Sequence, residues 1–268
     1  NHRIDEAVRR ILSVKCAFGL FDKPRPALRK WSNHTSFGCD EHRQVARKAV
    51  RKSLVLLNNS NNILPLKKNA RILVAGKNAD NLGHQCGGFT VNWQGVSGNA
   101  EIVGGTSIWQ GIKQVAENAQ LSVIGETPYA EGMGDIRDDD KIITESGSQI
   151  NGQVKVLRAL GDSLELNKLY PEDLQTIKNI TRKGVSVVAI LVSGRPLIIE
   201  QELVTSSAFI AAWLPGSEGQ GISDVLFGDY DFSGKLSFSW PQLSQPKVNK
   251  GDKNYNPLFP YGFGLSYS

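Results

Sequence analysis

The sequence lacks any apolar run long enough to cross a membrane. Its longest apolar stretches have the length of a β-strand, as in VSVVAILV at 185–192, whereas a membrane helix needs about 20 apolar residues. Internal repeats and low-complexity segments are also missing, and hydrophobic residues make up 40% of the 268 residues. This composition excludes coiled-coil, collagen-like and disordered chains, and the length allows a sizeable buried core. We expect no membrane partner.

Cysteine is scarce, and the charge is not concentrated in one place. Cys16, Cys39 and Cys86 are too few and too scattered for a disulfide framework. Cys39 and His42 form only half of a zinc-binding pattern, with no second pair to complete it. The net charge is +5, but the basic residues fall on what we interpret as solvated helix faces, without a recognition motif. We therefore predict neither a metal site nor a nucleic-acid partner.

Phosphate-binding signatures are missing as well. PGSEGQG at 215–221 resembles an anion-binding turn but lacks the lysine of a P-loop, and no G-x-G-x-x-G opens a helix after a strand. The four histidines are dispersed, and no Ser/His/Asp arrangement indicates a hydrolytic triad. These absences argue against a P-loop, against dinucleotide binding and against a hydrolytic triad. A flavodoxin-like nucleotide binder stays open only on general grounds of fold.

What the sequence does contain is an alternation of amphipathic helices and buried strands. The spacing of apolar residues predicts helices at 3–19, 40–57, 106–118, 171–183, 197–203 and 218–229. Continuous apolar runs predict strands at 71–76, 121–126, 185–194 and 208–216. Strands of this kind favour a parallel sheet covered by helices on both faces. Residues 136–170 are polar and mixed, and their pattern predicts no element.

In such sheets the functional residues collect in the loops after the carboxyl ends of the strands. The loop after Gly76 is rich in amides and aromatics and includes Phe89 and Trp93. Amides hydrogen-bond hydroxyl groups, and aromatic rings stack on the apolar face of a sugar, so this loop favours carbohydrate binding. The alternative interpretation is a polar surface loop with Trp93 packed into the core.

The loop after the strand at 121–126 carries Glu126, Glu131 and Asp135 among flexible glycines. A carboxylate that projects from such a loop into a cleft can act as a general acid, although a solvated acidic loop is an equal alternative. Arg195 follows the strand at 185–194, and for it we favour a structural ion pair over ligand binding.

Several segments together resemble the C-terminal part of glycoside hydrolase family 3, the β-glucosidases and β-glucan exohydrolases. They occur in family order and cover about two-thirds of the chain, whereas any one of them alone would be a weak signal. The most telling are RIDEAVRRILSVKCAFGLFDKP (3–24), ADNLGHQCGGFTVNWQG (79–95), GETPYAEGMGD (125–135), LVSGRPL (191–197), AAWLPGSEGQGISDVLFGDYDFSGKLSFSWP (211–241) and PLFPYGFGLSY (257–267).

The resemblance implies a three-layer α/β/α sandwich with a mostly parallel sheet of about six strands, the (α/β)6 sandwich of the family. It implies that residues 1–24 are the terminal helix of a preceding (β/α)8 barrel, 25–39 a linker and 40–268 the sandwich. The family's nucleophilic aspartate belongs to that barrel, whose motif this chain does not contain. Two departures from the family stand out: relatives usually carry a further strand and short helix before Leu121, and their connection corresponding to 136–170 is shorter.

By the same resemblance, Glu131 falls on the acid/base glutamate and Trp93 on a tryptophan that stacks on the sugar. Phe89 stands where relatives often have another tryptophan, so that stacking surface is smaller. The implied activity is that of a retaining, exo-acting β-glucosidase or β-glucan glucohydrolase acting on β-linked gluco-oligosaccharides, without a cofactor and with this chain alone inactive. The alternative is a non-catalytic carbohydrate-binding or interface module. The resemblance implies a periplasmic or secreted location, and the linkage and sugar preference stay open.

Overall fold

The computed structural model of the chain describes residues 2–69, 73–116, 121–137, 143–144 and 156–267. The chain divides into two compact units, Asn1–Gln44 and Val45–Ser268. The helices are α1 (His2–Ala17), α2 (Asp40–Ser53), α3 (Leu82–Cys86), α4 (Ile108–Lys113), α5 (Leu166–Leu169), α6 (Pro171–Thr181), α7 (Glu200–Thr205) and α8 (Gln220–Leu226). The strands are β1 (Val55–Asn59), β2 (Val74–Ala75), β3 (Leu121–Gly125), β4 (Ile143–Thr144), β5 (Val156–Leu157), β6 (Val188–Val192) and β7 (Ala208–Trp213).

The second unit is built around a sheet in the order β1-β7-β6-β3-β2. Its four strands from β7 to β2 are parallel to one another, and β1 pairs with β7 in the antiparallel direction. A separate antiparallel pair joins β4 and β5. The parallel register places the carboxyl ends of β2, β3, β6 and β7 along one edge of the sheet, where the loops predicted to be functional begin.

Helices cover both faces of this sheet, so the predicted three-layer arrangement is confirmed. Alternate residues of β6 point to opposite faces: Ile190 lies in one core and Leu191 in the other, as a strand buried on both sides requires. The first core is completed by apolar residues of α2, α4 and α8, and the second by those of α5, α6 and α7. Trp240 is fully buried in the second core, where its indole N–H donates to the Leu197 carbonyl at 2.8 Å.

The predicted helix at 40–57 is wrong at its C-terminal end. The helix ends at Ser53, and Val55–Asn59 is an edge strand of the sheet. The physical reason is a change of period, since Leu54 and Leu56 lie in one core while Val55 and Leu57 lie in the other. Two-residue alternation is the geometry of a strand, and burial on both faces of the sheet overrides continuation of the helix.

The other predicted elements are present, with shorter bounds in most cases. The predicted strand start at Arg71 and the predicted helix end near Asn118 lie outside the described residues. In the described part of the chain the sheet has five strands, and β2 pairs directly with β3. Residues 136–170, for which the pattern predicted no element, include β4, β5 and α5 as well as segments outside the described residues.

The first unit contains α1, whose apolar residues stay in contact with solvent. None of its described residues is buried, and Ile4 and Ile11 are more than half exposed. Such a face is typical of a helix that packs against another element. Among the residues that the structure describes, no helix has both the length and the apolar character required to span a bilayer.

Glu202 in α7 is a buried carboxyl group with a measurable consequence for stability. Its side chain is fully buried, and among the residues that the structure describes neither carboxylate oxygen meets a donor at hydrogen-bond geometry. Burial raises the pKa of Glu202 from 4.5 to about 7, because the charged form loses its hydration. The folded protein therefore binds a proton more tightly at this carboxyl group than the unfolded chain does.

We expect the free energy of unfolding to fall as the pH rises from about 4.5 to about 7 because of this group. The slope should reach at most about 1.4 kcal/mol per pH unit for one proton. Glu202→Gln should remove that decline in urea titrations across this pH range, whereas Glu200→Gln on the same helix should leave it unchanged. Equal slopes for the wild type and Glu202→Gln would contradict the assignment.

Candidate functional site

The loops after β2, β3, β6 and β7 converge at the carboxyl edge of the sheet, as the parallel topology predicted. They enclose a pocket of about 200 Å³. The lining residues come from three of these loops and from the end of β7: His84, Gly87, Gly88, Phe89, Glu126, Thr127, Pro128, Tyr129, Gly194 and Leu214. Gly88 permits the close approach of two of the loops, since a Cβ atom there would overlap the carbonyl oxygen of Tyr129.

Glu126, the first residue after β3, forms a buried ion pair with Arg195. Its side chain is only 3% exposed, and its Oε1 lies 3.0 Å from Nε of Arg195. Its Oε2 accepts hydrogen bonds from the Ser193 hydroxyl at 3.0 Å and from the Gly194 N–H at 3.1 Å. The structural interpretation of Arg195 is therefore confirmed, and Glu126 is neutralised by a cation.

Tyr129 completes this cluster. Its hydroxyl donates to Glu126 Oε2 at 3.0 Å and accepts from Arg195 Nε at 2.7 Å. The Arg195 guanidinium carbon lies 4.0 Å from the centre of the Tyr129 ring, within the range of a cation–π contact. Burial, followed by the neighbouring Glu126 carboxylate, raises the pKa of Tyr129, so the phenol keeps the proton that it donates.

Glu131 lies on the same loop and is exposed. The backbone around it is held in place. The Ala130 N–H donates to Gln94 Oε1 at 2.8 Å, and Gln94 Nε2 reaches the Glu131 carbonyl at 3.4 Å. On the other side the Gly132 N–H donates to Asp135 Oδ1 at 3.0 Å. The loop thus presents, from a fixed backbone, a carboxylate that has no partner among the described residues.

The residues next to Glu131 on this loop have partners of their own. The Tyr129 hydroxyl contacts Glu126 and Arg195, and Met133 is 43% exposed. Glu126 pairs with Arg195, and Asp135 accepts a hydrogen bond from the Gly132 N–H.

The aromatic residues predicted to bind sugar lie on the loop between α3 and α4. Trp93 is half-buried and belongs to neither core, while Phe89 is 72% exposed. The Phe89 N–H donates to the Trp93 carbonyl at 2.9 Å. Phe89 and Val91 both have positive φ angles, 57° and 67°, which are uncommon outside glycine and rarer still for a β-branched residue. Strain of this kind is concentrated at functional sites.

This aromatic loop and the Glu131 loop are tied together by the side chain of Gln94, which follows Trp93 directly. The sequence therefore predicted correctly that both loops start at one edge of the sheet. The specific bridge between them depends on side-chain geometry that the sequence pattern does not contain.

The sequence patterns did not predict a chain of polar groups that runs from the exposed Ser97 to the buried His84 and Asn78. Asn81 donates to the Ser97 hydroxyl at 3.1 Å, and Ser97 lies 3.0 Å from His84 Nε2. His84 Nδ1 lies 2.5 Å from Asn78 Oδ1, and Asn78 donates to the Glu126 carbonyl at 3.4 Å. With Asn78 as acceptor, His84 must carry its proton on Nδ1 and accept from Ser97 at Nε2.

Burial and, to a smaller extent, the Lys77 charge lower the pKa of His84 to about 4, so the ring is neutral near pH 7. Its role in this chain of hydrogen bonds needs that neutral form. The four histidines were treated as dispersed, and only packing shows that one of them lines the pocket.

The N-terminus of α6 contacts the C-terminal end of β3, at the same edge of the sheet. The Asp173 carboxylate accepts from the Gly125 N–H at 2.9 Å, at the residue where β3 ends. Lys77 lies 3.5 Å from Asp173 and 3.6 Å from the centre of the Tyr170 ring. Gly125 has a φ of 124°, and a Cβ atom there would overlap the Val192 carbonyl oxygen. The chain can therefore leave β3 toward Glu126 only with glycine at this position.

Metal-binding clusters of three or more suitable side chains do not occur in the part of the chain that the structure describes. Cys16, Cys39 and Cys86 are all free thiols.

Comparison with known proteins identifies the family. Residues 54–267 match the family model described as the glycosyl hydrolase family 3 C-terminal domain. A lysosomal β-glucosidase of Dictyostelium discoideum is 33% identical over 99% of this chain and 34% of its own length. A periplasmic β-glucosidase of Salmonella typhimurium is 31% identical over 99% of this chain and 40% of its own length. The chain thus spans well under half the length of these curated relatives.

Among solved structures, the fold is similar to that of an exo-1,3/1,4-β-glucanase from a Pseudoalteromonas species. The TM-score is 0.84, with 40% identity over 100% of this chain and 44% of the other. A β-glucosidase from Listeria innocua, crystallised with laminaribiose, gives a TM-score of 0.71 and 26% identity over 98% of this chain and 39% of the other. On the match to the family model and on these relatives, the chain belongs to glycoside hydrolase family 3 and contains that family's C-terminal domain.

Proposed function

We propose that this chain is the C-terminal part of a retaining, exo-acting β-glucosidase or β-glucan glucohydrolase, to which it contributes the acid/base carboxyl group of Glu131. The observation that carries the proposal is the geometry around Glu131. Its carboxylate is free at the carboxyl edge of the sheet, while Gln94 and Asp135 hold the backbone on either side. Names of relatives that include β-glucosidases and an exo-1,3/1,4-β-glucanase support the same substrate class.

In this mechanism a carboxylate of a preceding domain attacks the anomeric carbon while Glu131 protonates the departing glycosidic oxygen. Glu131 then removes a proton from the water that hydrolyses the glycosyl-enzyme. The exposed side chain suits this exchange of roles, because it must meet first the leaving group and then water. The two carboxyl groups of a retaining enzyme stand roughly 5–5.5 Å apart, so we expect the nucleophile of the preceding domain at that distance from Glu131.

Trp93 and Phe89 would supply an aromatic platform for the sugar beside Glu131. Their loop is tied to the Glu131 loop through Gln94, which keeps platform and acid at a fixed separation. A β-xylosidase of Formosa agariphila, 30% identical over 99% of this chain, is also among the relatives. Relatives that share this domain are therefore named for more than one sugar. Because β-glucosidases and a β-glucanase are also among them, we propose β-linked gluco-oligosaccharides as the substrate class of this chain.

The preceding domain is proposed to be a (β/α)8 barrel that carries the nucleophilic aspartate. Residues 1–24 would form its terminal helix, 25–39 the linker and 40–268 the sandwich. The exposed apolar face of α1 supports this arrangement, since Ile4 and Ile11 need a partner surface. Relatives named periplasmic and lysosomal support a periplasmic or secreted location.

The test is to assay the 268-residue chain on an aryl β-glucoside, alone and within the full-length protein that contains it. We expect turnover only from the full-length protein, because the nucleophile is supplied by the other domain. Turnover by the purified chain alone would overturn the proposed division of roles.

The alternative function, a non-catalytic carbohydrate-binding module, predicts a different result in the same experiment. It would bind gluco-oligosaccharides through Trp93, with binding lost in Trp93→Ala, while the full-length protein would also fail to hydrolyse any aryl glycoside. That result would replace the proposed activity with carbohydrate binding.

A further inference from the structure

Tyr129 lies two residues before Glu131 and is held from two directions. Its hydroxyl donates to Glu126 at 3.0 Å and accepts from Arg195 at 2.7 Å, and the Arg195 guanidinium lies 4.0 Å from the centre of its ring. Glu126 is itself anchored to the segment after β6 through Ser193 and Gly194. The phenol is thereby connected to the central strands of the sheet.

Only Ala130 separates this anchor from Glu131, and its N–H is held by Gln94 at 2.8 Å. The Glu131 carboxylate is exposed, and no hydrogen bond or ion pair to its side chain occurs within the described residues. The position of the carboxylate therefore follows from the backbone, and the backbone on its N-terminal side is fixed by Tyr129 and Gln94. A displacement of about 1 Å at a reacting group can slow a reaction roughly a hundredfold.

The cluster of Glu126, Tyr129 and Arg195 carries a larger desolvation cost than an apolar contact that would stabilise the same loop. Taking a guanidinium and a carboxylate out of water carries a desolvation penalty that apolar side chains of similar volume would avoid. Nη2 of Arg195 is buried and meets no hydrogen-bond acceptor in the described parts of the chain, so part of that penalty is not offset. Hydrogen bonds are directional, whereas apolar contacts are not. The hydrogen bonds to Glu126 and Arg195 therefore hold Tyr129 in one position.

We propose that Tyr129, held by Glu126 and Arg195, is a positioning residue that sets the Glu131 carboxyl group for proton transfer to the leaving group. This inference rests on the proposed acid/base role of Glu131. Tyr129 touches no reacting atom, and its effect passes through the backbone of Ala130 and Glu131.

The test uses Tyr129→Phe in the full-length protein, because phenylalanine keeps the ring under the guanidinium and removes only the hydroxyl. For glucosides with poor leaving groups we expect kcat/KM, which reports the first step, to fall about 10- to 100-fold. For activated aryl glucosides, whose departure in that step needs little protonation, kcat/KM should change less than threefold. Arg195→Lys keeps the charge but loses the fixed Nε–H, and it should produce the same split between substrates.

A double variant separates positioning from general stability. If Tyr129 acts through Glu131, Tyr129→Phe should add less than a twofold loss in a Glu131→Ala background. The matched control is Tyr267→Phe, which removes a phenol that donates to the Val225 carbonyl and packs against the first core, the one that α2, α4 and α8 complete. It should leave the ratio of the two substrate types unchanged, and thermal unfolding midpoints should be recorded for every variant.

Equal losses on both substrate types, or a loss that persists in the Glu131→Ala background, would overturn the inference and make Tyr129 a structural residue. These outcomes leave the proposed function intact as long as Glu131→Ala itself discriminates between leaving groups. If Glu131→Ala does not discriminate, the proposed acid/base assignment is wrong, whatever Tyr129→Phe does.

Discussion

Replacing Glu131 with alanine in the full-length protein is expected to slow hydrolysis of glucosides with poor leaving groups by about 10²- to 10⁴-fold, the usual contribution of general acid catalysis. Activated aryl leaving groups depart without protonation, so the first step with these substrates should be affected far less. The measurement is kcat/KM over a series of leaving groups, whose dependence on leaving-group basicity should steepen in the variant.

Azide tests the second step of the same reaction. It attacks the glycosyl-enzyme without help from a base, so added azide should accelerate turnover of activated substrates by Glu131→Ala and yield a β-glucosyl azide. Glu101→Ala removes another exposed carboxylate and serves as the control with unchanged kinetics. If Glu131→Ala lowers the rates of both substrate types equally and azide has no effect, Glu131 is not the acid/base residue.

Replacing Asp224 with alanine is expected to reduce the free energy of unfolding by about 3–5 kcal/mol, the typical cost of breaking a buried ion pair from one side. Asp224 in α8 is 5% exposed. It accepts from Arg47 at 2.5 and 2.7 Å and from Arg51 at 3.0 Å, and both arginines belong to α2. The hydrogen bonds that Arg47 donates to Asp224 raise the pKa of Arg47, so alanine would leave two charged guanidinium groups without their carboxylate.

The matched control is Asp229→Ala. Asp229 pairs with Lys68 at 2.6 Å, but the two side chains are 44% and 55% exposed. Exposed pairs of this kind contribute about 0–1 kcal/mol. Chemical denaturation of the three proteins gives the comparison directly, and losses of equal size would show that the α2–α8 pairing is not a main source of stability. A loss of 3–5 kcal/mol is a large part of the roughly 5–15 kcal/mol that usually separates folded from unfolded domains.

Local patterns were sufficient for the regular elements of the central sheet. The apolar run at 185–192 predicted a strand buried on both faces, and β6 (Val188–Val192) contributes side chains to both cores. Pro171 followed by Glu172 and Asp173 predicted the start of α6, since proline fits the first helical position and acids favour the positive end of the helix dipole. The parallel topology then predicted which loops would meet.

The edge strand β1 shows where local patterns fail. Val55, Leu56 and Leu57 follow a strongly amphipathic helix without a proline or glycine between them, so the helical interpretation was locally consistent. Only the open edge of β7, which pairs with these residues, makes the strand the better solution. Edge pairing is a long-range property, and no window of sequence contains it.

The sequence by itself determined the family, the parallel sheet and the two loops that carry Glu131 and Trp93, because strand periodicity and motif order are local. The tertiary structure decided which polar groups meet. Glu126 pairs with Arg195, and the buried His84 lies between Asn78 and Ser97 in a chain of hydrogen bonds. Hydrogen bonds depend on distances of a few tenths of an ångström between residues that lie far apart in sequence. Such distances are set by packing of the whole sheet edge and cannot be read from residue order.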